Sequence, residues 1–430
     1  MRKEQCAVKG DGCRKTPRSN RAGYVMRTII IGGGPAGMAA AIAASACGDQ
    51  VTLLERLDRV GKKLMATGNG RCNLMNTGAP VYPGGEELAR AVLSRCGVRE
   101  QTAFWHWLGL RLREEGEGRV YPVSGQAASV LDVLRFAMER QRVEARTGVT
   151  VTGLKRKGSG WLVETSVGAL EAERVIVTGG GKAQPKLGSD GSCYRLLTGL
   201  GHRLIPPRPA LTQIETETAL IRGLSGQRAR CTVSLKRGGQ TLHIERGEAL
   251  FTDYGLSGVC AMQCARAARA GDVLSLDFTE ALRMTKETVL AELWRRSRQW
   301  RDMPRERLLS GLVSARIGTG LLRAADVSLS GTIAGLTEQE LRRVSSRIAD
   351  FPLRVTGLKG FDSCQVTAGG IDTADFSPDT MASLKAPGLH AAGEVMDVDG
   401  DCGGFNLMFA FGSGILAGLN GRRAPWEDME

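Results

Sequence analysis

Three glycines, at positions 32, 34 and 37, have the spacing that most clearly indicates chemistry. They form a Gly-x-Gly-x-x-Gly motif between the apolar run 28–31 and a run of small helix-forming residues, 38–46. In such a motif the first glycine allows a tight turn, the second admits a pyrophosphate close to the backbone, and the third lets the helix pack on the strand. The free N–H groups and the helix dipole then attract the negative charge. The segment therefore predicts a dinucleotide-binding site.

An acidic residue at the end of the next apolar run supports this prediction. Glu55 follows the run 51–54 and lies 18 residues after Gly37, where a carboxylate accepts hydrogen bonds from the ribose hydroxyls of adenosine. A carboxylate at this position favours an unphosphorylated ribose, and hence FAD or NAD(H) over NADP(H). The alternative is a glycine-rich turn in an unrelated α/β protein, but the order of strand, motif, helix, strand and acid argues against it.

A basic, glycine-rich loop at 61–73 distinguishes FAD from NAD(H). A simple NAD domain would turn into its second helix here, whereas a loop of this composition suits a longer ligand with more phosphate and ring edge to contact. Downstream, the strand 174–177 is followed by Thr-Gly-Gly, the segment 387–394 ends in Gly-Glu, and the glycine-rich turn 397–407 leads into a helical run. Together these features favour FAD. For the loop alone, a solvated basic surface is the alternative.

These segments together resemble one family, the BaiN/RdsA family of FAD-dependent oxidoreductases, often labelled aminoacetone oxidase-like. The resemblance extends from about Met26 to about Gly418 and is carried by the blocks GGGPAGMAAAIAA (32–44), GKKLMATGNGRCNLMN (61–76), TGGGKAQPKLGSDGSCYRLLTGLGH (178–202), GEALFTDYGLSG (247–258), VTAGGIDT (366–373) and PGLHAAGEVMDVDGDCGGFNLMFAFGSGILAG (387–418). It implies an α/β fold in which a two-dinucleotide-binding-type FAD domain is interrupted by an inserted β-barrel plus helical subdomain. One departure is Gln184, where many relatives have an aromatic residue.

The motifs and the resemblance together define the candidate site residues. The candidates for FAD binding are Gly32, Gly34, Pro35, Ala36, Gly37, Glu55, Arg56, Lys62, Lys63, Gly68, Asn69, Gly70, Arg71, Cys72, Asn73, Val151, Thr178, Gly179, Gly180, Gly393, Glu394, Asp401, Gly404, Phe405, Asn406 and Leu407. Tyr254 and Cys72 are the first candidates for a proton donor, and a barrel hydrogen bond and a loop thiol are the alternative roles for them. No metal site is expected, because the four histidines are scattered and no CxxC pair occurs.

The order of segments also predicts the domain organisation. The proline cluster 206–209 marks a boundary, short strand-like runs occupy 211–258, and a helical pattern occupies 279–350. We therefore expect a disordered basic extension at 1–25, the first part of the FAD domain at 26–203, the inserted β-barrel and helical domain at 204–353, and the C-terminal part of the FAD domain at 354–430.

The charge of the chain leaves two classes of partner open. The 430 residues include 58 Lys plus Arg and 45 Asp plus Glu, for a formal net charge of +13. The first 25 residues contribute seven basic and two acidic side chains, or +5, which leaves +8 for the rest. An arm that binds a polyanion would explain the extension, but we favour a dispensable extension. The absence of a secretory signal or long apolar run, and eleven scattered cysteines, favour a cytoplasmic protein without a membrane partner.

The resemblance implies a flavin-dependent reduction of a C=C bond conjugated to a carbonyl, with hydride passing from flavin N5 to the β-carbon. One family substrate is a 3-oxo-4,6-diene bile-acid intermediate, and the other is a uridine of 23S ribosomal RNA, which becomes dihydrouridine. NAD(P)H is expected as a transient reductant, because no second dinucleotide motif occurs.

The sequence offers one feature for each substrate. The segment 294–307 has six arginines and two tryptophans, which suits RNA, although a solvated amphipathic helix explains it equally well. The form of the 178–202 block resembles the version found in anaerobic gut Firmicutes, and on that association we favour the small steroid substrate. A flavin-bearing RNA-binding protein without turnover and an amine oxidase are the further alternatives.

Overall fold

The computed structural model describes residues 25–427. The disordered extension predicted at 1–25 therefore lies outside the described residues, except for its last position.

The described residues form a mixed α/β structure. Its strands are β1 (Arg27–Ile31), β2 (Gln50–Leu54), β3 (Met75–Asn76), β4 (Leu112–Glu114), β5 (Arg119–Pro122), β6 (Glu144–Arg146), β7 (Val151–Lys157), β8 (Gly160–Thr165), β9 (Gly168–Ala172), β10 (Arg174–Val177), β11 (Leu204–Ala210), β12 (Ile214–Thr216), β13 (Arg228–Arg237), β14 (Gln240–Phe251), β15 (Gly255–Ser257), β16 (Val273–Asp277), β17 (Phe351–Leu358), β18 (Val366–Ile371) and β19 (Leu389–Ala391). Its helices are α1 (Pro35–Ala46), α2 (Glu86–Arg95), α3 (Val98–Leu108), α4 (Ala127–Arg140), α5 (Tyr194–Thr198), α6 (Val259–Cys264), α7 (Thr279–Leu282), α8 (Lys286–Gln299), α9 (Ala315–Ala324), α10 (Glu338–Ala349) and α11 (Phe405–Leu419).

A five-stranded parallel sheet positions the dinucleotide motif. Its order is β19-β10-β1-β2-β6, so β1 lies between β10 and β2. In register, Ile31 pairs with both Leu54 and Val177, and the turns after these three strands therefore meet at one edge of the sheet. Ligands of open α/β sheets bind outside this carboxyl edge. The near-continuous apolar strands are buried, as expected of a parallel sheet covered on both faces.

Small residues bring α11 against α1 beside this sheet. A Cβ added to Gly414 would lie 2.3 Å from the Ala36 carbonyl oxygen, and one added to Gly418 would lie 2.5 Å from the Ala40 carbonyl oxygen. No side chain larger than hydrogen fits at these two positions without movement of the backbone. The contact joins the N-terminal motif to the C-terminal helix, so distant parts of the chain form one cofactor domain.

The inserted part contains a closed six-stranded barrel, which confirms the predicted fold class. The strand order is β12-β15-β14-β13-β16-β17, and all pairs are antiparallel. Side chains of the barrel and of helices α8 to α10 form a second hydrophobic core, separate from that of the cofactor domain. A capping box starts α10, where Thr337 N–H donates to Glu340 Oε2 at 2.7 Å and Glu340 N–H donates to Thr337 Oγ1 at 3.2 Å.

Two antiparallel strands connect the barrel to the cofactor domain. The chain leaves through β11 and returns through β18, with Leu204 opposite Ile371 and Ala210 opposite Val366. The last barrel strand continues to Leu358, so the boundary expected at 353/354 falls inside it. We therefore propose that the chain returns to the cofactor domain between Leu358 and Val366, and the other domain limits stay proposals. Within residues 25–427, the helices are all too short or too polar to cross a membrane.

Candidate active site

The turn after β1 forms a cradle that is open on one side. Gly32 has a φ of +109°, and a Cβ there would lie 2.7 Å from the Thr178 carbonyl oxygen. A Cβ on Gly37 would lie 1.9 Å from the Gly32 carbonyl oxygen, so both positions require glycine. A Cβ on Gly34, in contrast, would meet nothing within 4 Å. This open space borders the N-terminus of α1, whose first turn has no acidic residue, so it suits an anionic group.

Glu55 is held at the sheet edge by two backbone groups. Its Oε2 accepts a hydrogen bond from Gly33 N–H at 2.7 Å, and its Oε1 accepts one from Leu57 N–H at 2.8 Å. The residue is 9% exposed. Each carboxylate oxygen has a further acceptor position, and Glu55 can therefore accept bonds from ribose hydroxyls while its orientation stays fixed. Val151 begins β7 nearby, because Val149 N–H donates to the Glu55 carbonyl oxygen at 3.0 Å.

Two of the predicted basic residues make internal contacts instead of being free for phosphate. Arg56 pairs with Asp190 at 3.1 Å and donates to the carbonyl oxygen of Gly188 at 3.3 Å, which braces the loop 185–190. Arg71 pairs with Glu115 at 2.5 Å, and its guanidinium lies 4.2 Å from the centre of the Tyr121 ring. Both side chains shape the loops around the cradle.

Lys63 and Glu394 join three predicted segments. Lys63 Nζ lies 2.7 Å from Glu394 Oε2 and 3.4 Å from Ser189 Oγ. Glu394 Oε1 accepts a bond from Thr367 N–H at 2.8 Å, and Thr367 Oγ1 accepts one from Lys182 N–H, also at 2.8 Å. The loop 61–73, the Gly-Glu segment and the strand β18 therefore meet at one ion pair.

The loop 64–73 has the backbone of a ligand-binding loop. Gly68, Asn69, Gly70 and Cys72 all have a φ between +54° and +82°, a conformation that non-glycine residues rarely adopt. The Oδ1 atom of Asn73 is buried and has no hydrogen-bond partner within the described chain. An unpaired buried acceptor is costly, so Asn73 is suited to a ligand that donates a hydrogen bond.

The N-terminus of α11 lies beside Asn73. Gly404 has a φ of +107°, and a Cβ there would lie 2.8 Å from Asn73 Oδ1 and 2.4 Å from the Met75 carbonyl oxygen. The first turn of α11, which contains Phe405 and Leu407, has no acidic residue and no side-chain cap. Its N–H groups are therefore free to stabilise negative charge on a ligand.

The side chain of Asn406 makes hydrogen bonds within its own turn, and its contact with the cofactor stays a prediction. Its Oδ1 accepts a bond from Gly400 N–H at 2.9 Å, and its Nδ2 donates to the carbonyl oxygens of Gly400 and Asp401 at 2.7 and 3.3 Å. The side chain therefore closes the turn before α11. The open cradle, the left-handed loop and the unpaired Asn73 oxygen together fit the FAD that the motifs predict.

The two predicted proton donors lie in different environments. Cys72 is fully buried, and burial raises the pKa of its thiol to about 12. Tyr254 is half-buried in the connection between β14 and β15, where Lys359 Nζ lies 4.2 Å from the centre of its ring. Lys359 in turn pairs with Glu215 at 2.8 Å. No hydrogen bond of the described chain joins Tyr254 to Cys72, and both donor roles stay predictions.

The sequence did not predict the barrel side of the site. Arg266, which follows α6, makes a two-point ion pair with buried Asp399, at 2.7 and 3.1 Å. Gln263 Oε1 accepts a bond from Cys402 N–H at 3.1 Å. The sequence of β14 could have indicated a barrel strand with polar residues on its inner side. Half-buried His243 and Glu245 alternate there with exposed residues in the two-residue period of a strand.

Half of the arginines in the segment 294–307 make contacts within the protein itself. Arg296 is buried and donates to the carbonyl oxygens of Leu308 and Ser310 at 3.0 and 2.7 Å. Arg305 donates to the carbonyl oxygens of Thr332 and Gly335, and Arg295 pairs with Glu292. Three of the six arginines thus stabilise the helical subdomain, which weakens the case for an RNA-binding surface there.

The geometry agrees with a comparison to known protein families. The model of the HI0933-like protein Rossmann domain matches residues 26–420. The chain belongs to the HI0933-like family. This confirms the BaiN/RdsA-type resemblance and the Rossmann-type FAD domain with its inserted barrel, and the chain is accordingly an FAD-dependent oxidoreductase.

Similar proteins in this comparison include two enzymes. A protein of Clostridium scindens named 3-dehydro-bile acid delta(4,6)-reductase is 36% identical over 93% of this chain and 100% of its own length. A ribosomal RNA dihydrouridine synthase of Escherichia coli is 27% identical over 90% of this chain and 95% of its own length. Among solved structures, the 3-ketosteroid-delta4-(5alpha)-dehydrogenase of Rhodococcus jostii RHA1 covers 93% of this chain and 97% of its own, with 16% identity and a TM-score of 0.48.

Proposed function

We propose that this protein reduces a C=C bond conjugated to a carbonyl, and that its substrate is a 3-oxo-4,6-diene bile-acid intermediate. The observation that carries the proposal is the 36% identity to the bile-acid reductase over nearly the whole chain. NAD(P)H is the proposed reductant of the cofactor.

The described residues offer a place for the cofactor of such a reaction. Bound FAD, once reduced, supplies hydride from N5. Glu55 and the first turn of α1 would hold the adenosine and pyrophosphate, while Asn73 and the first turn of α11 would hold the ring system. The free N–H groups of α11 would stabilise negative charge on the bound ring system. The fixed orientation of Glu55 and the Lys63–Glu394 ion pair keep this cradle in shape before the cofactor arrives.

An anaerobic reoxidation experiment tests the proposal. The purified protein is loaded with FAD and reduced, and the flavin absorbance is followed after addition of a 3-oxo-4,6-diene steroid acid. We expect rapid reoxidation and a product with one C=C bond fewer. A reduced enzyme that stays reduced with this substrate would contradict the proposal.

Uridine reduction in ribosomal RNA is the second candidate function. The 27% identity to the dihydrouridine synthase favours it, whereas the internal contacts of Arg296 and Arg305 count against a basic RNA track at 294–307. In the same assay, 23S ribosomal RNA that lacks dihydrouridine replaces the steroid. Reoxidation by RNA alone would support this second function, and reoxidation by neither substrate would favour a flavin-bearing protein without turnover. The cytoplasmic location stays a prediction.

A further inference from the structure

One ion pair joins the barrel to the cofactor domain. Arg266 follows α6 of the inserted part, and Asp399 lies in the turn 397–404 before α11. Arg266 Nε donates to Asp399 Oδ2 at 2.7 Å, and Arg266 Nη2 donates to Asp399 Oδ1 at 3.1 Å. The side chain of Asp399 is 3% exposed. Among the ion pairs of residues 25–427, this is the one between the barrel and the cofactor domain, so it fixes one against the other.

The loop before α2 packs against the same ion pair. Gly84 N–H donates to the Asp399 carbonyl oxygen at 3.3 Å, and Asp399 N–H donates to the Gly84 carbonyl oxygen at 3.4 Å. A Cβ on Gly84 would lie 2.0 Å from Asp399 Oδ1 and 3.1 Å from Arg266 Nη2. Position 84 has no room for a side chain, because the ion pair occupies the space. Asp399 is therefore held from two sides, by the cofactor domain and by the barrel.

The far end of the turn 397–404 lies beside Asn73. A Cβ on Gly404 would lie 2.8 Å from Asn73 Oδ1, and the first turn of α11 follows directly. Cys402 N–H donates to Gln263 Oε1 at 3.1 Å, so the barrel holds this end of the turn as well. The barrel thus contacts the turn at two points, and the turn ends where the ring system of the cofactor would be held.

Loss of Arg266 would disturb this end of the cradle through Asp399. Without Arg266, the buried carboxylate would have no counterion, which is strongly unfavourable. The turn can lower this cost by moving toward solvent. Such a movement would shift Gly404 and the first turn of α11 relative to Asn73, and these are the groups that would hold the ring system.

We infer that Arg266 is a positioning residue for FAD, although it belongs to the inserted part and lies outside every cofactor motif of the sequence. It acts through Asp399, which holds the turn before α11. By linkage, the ion pair strengthens FAD binding, and bound FAD strengthens the ion pair to the same extent. The position of the barrel and the occupancy of the cradle are therefore coupled. This inference concerns the cofactor and holds for either substrate, so it goes beyond the proposed function.

The test compares Arg266→Met with the matched control Arg237→Met. Arg237 donates to Asp272 at 2.8 and 2.9 Å, and the side chain of Asp272 is also 3% exposed, but both residues belong to the inserted part. Titration of each apoprotein with FAD, followed by flavin fluorescence, gives the Kd. We expect Arg266→Met to raise this Kd about 10-fold and Arg237→Met to leave it within about twofold of the wild-type value. Both variants should unfold at lower urea concentration, because each leaves a buried carboxylate without its arginine.

A double variant tests the route through Asp399. Arg266→Met combined with Asp399→Asn has no unpaired buried charge to displace the turn. It should therefore bind FAD more tightly than Arg266→Met alone, whereas a general weakening of the barrel would not be relieved by the second change.

Hydrogen exchange of the wild-type protein keeps the inference testable if Arg266→Met does not fold. Binding of FAD should slow the exchange of the backbone amides of α6, which precedes Arg266, and leave those of α8 in the helical subdomain unchanged.

Four results would each overturn the inference. They are a Kd for Arg266→Met within about twofold of the wild-type value, an equal rise in Arg237→Met, a double variant that binds FAD no more tightly than Arg266→Met, and exchange in α6 that FAD leaves unchanged. A wild-type protein that binds FAD but reduces no enone would overturn the proposed function alone.

Discussion

The substitution Gly34→Ala is expected to weaken cofactor binding without changing the stability of the folded apoprotein. Gly34 has a φ of −80° and a ψ of −173°, which alanine adopts without strain, and its Cβ would meet no protein atom within 4 Å. The free energy of unfolding of the apoprotein should therefore change by less than about 1 kcal/mol. The added methyl group occupies space that the motif reserves for the pyrophosphate.

The expected loss of affinity follows from the bonds that the methyl group prevents. The N–H groups of Ala36 and Gly37 lie in the first turn of α1 and have no partner in the helix. Hydrogen bonds to a charged group contribute about 1.5–3 kcal/mol each. Loss of both raises the Kd for FAD by about 100-fold to 10,000-fold.

Titration of the apoprotein with FAD, followed by flavin fluorescence, measures this Kd, and urea unfolding measures the stability. Gly37→Ala is the matched control, because its Cβ would lie 1.9 Å from the Gly32 carbonyl oxygen and should destabilise the apoprotein itself. A Gly34→Ala protein that binds FAD within threefold of the wild-type Kd would refute the reasoning.

Three further predictions concern binding and stability. Lys63→Ala removes the ion pair with Glu394 and should speed FAD dissociation, measured by displacement, while Lys155→Ala, at an exposed pair, should not. Arg174→Met removes one of the two arginines that lie 2.6 Å from the buried carboxylate of Asp49, while Arg422 remains. It should lower the free energy of unfolding by about 1.5–3 kcal/mol, the contribution of a hydrogen bond to a charged group, and an unchanged urea unfolding curve would contradict this. Burial lowers the pKa of His390 to about 4. As the pH falls, the imidazole of His390 is therefore protonated in the unfolded state before it is protonated in the folded state. This should cost about 3 kcal/mol of stability between pH 6.5 and pH 4, and a wild-type acid dependence in His390→Asn would count against it.

The sequence predicts the site best where one short segment contains both the motif and its support. Gly32, Gly34 and Gly37 lie between a strand and a helix that they join directly, so local spacing indicates their geometry. Glu55 is equally local, since its strand is the next one along the chain.

Contacts between distant segments are less predictable. Arg266 and Asp399 are 133 residues apart, and nothing in either segment indicates the other. Asn406 lies in a segment that the sequence assigns correctly to the start of a helix, but its side chain bonds to the turn behind it. Composition indicates which residues are near a ligand, whereas the direction of a side chain depends on neighbours that only the folded chain supplies. The same limit explains Arg296 and Arg305, whose carbonyl partners lie in later turns.

The packing of α11 on α1 has a consequence for how the protein is made. The sheet takes β1 from residues 27–31 and β19 from residues 389–391, and α11 can cover α1 only after the residues up to Leu419 have been synthesised. The inserted part has its own core, so it can collapse on the ribosome while the two halves of the cradle are still apart. Binding of FAD to the complete cradle must therefore follow the synthesis of α11.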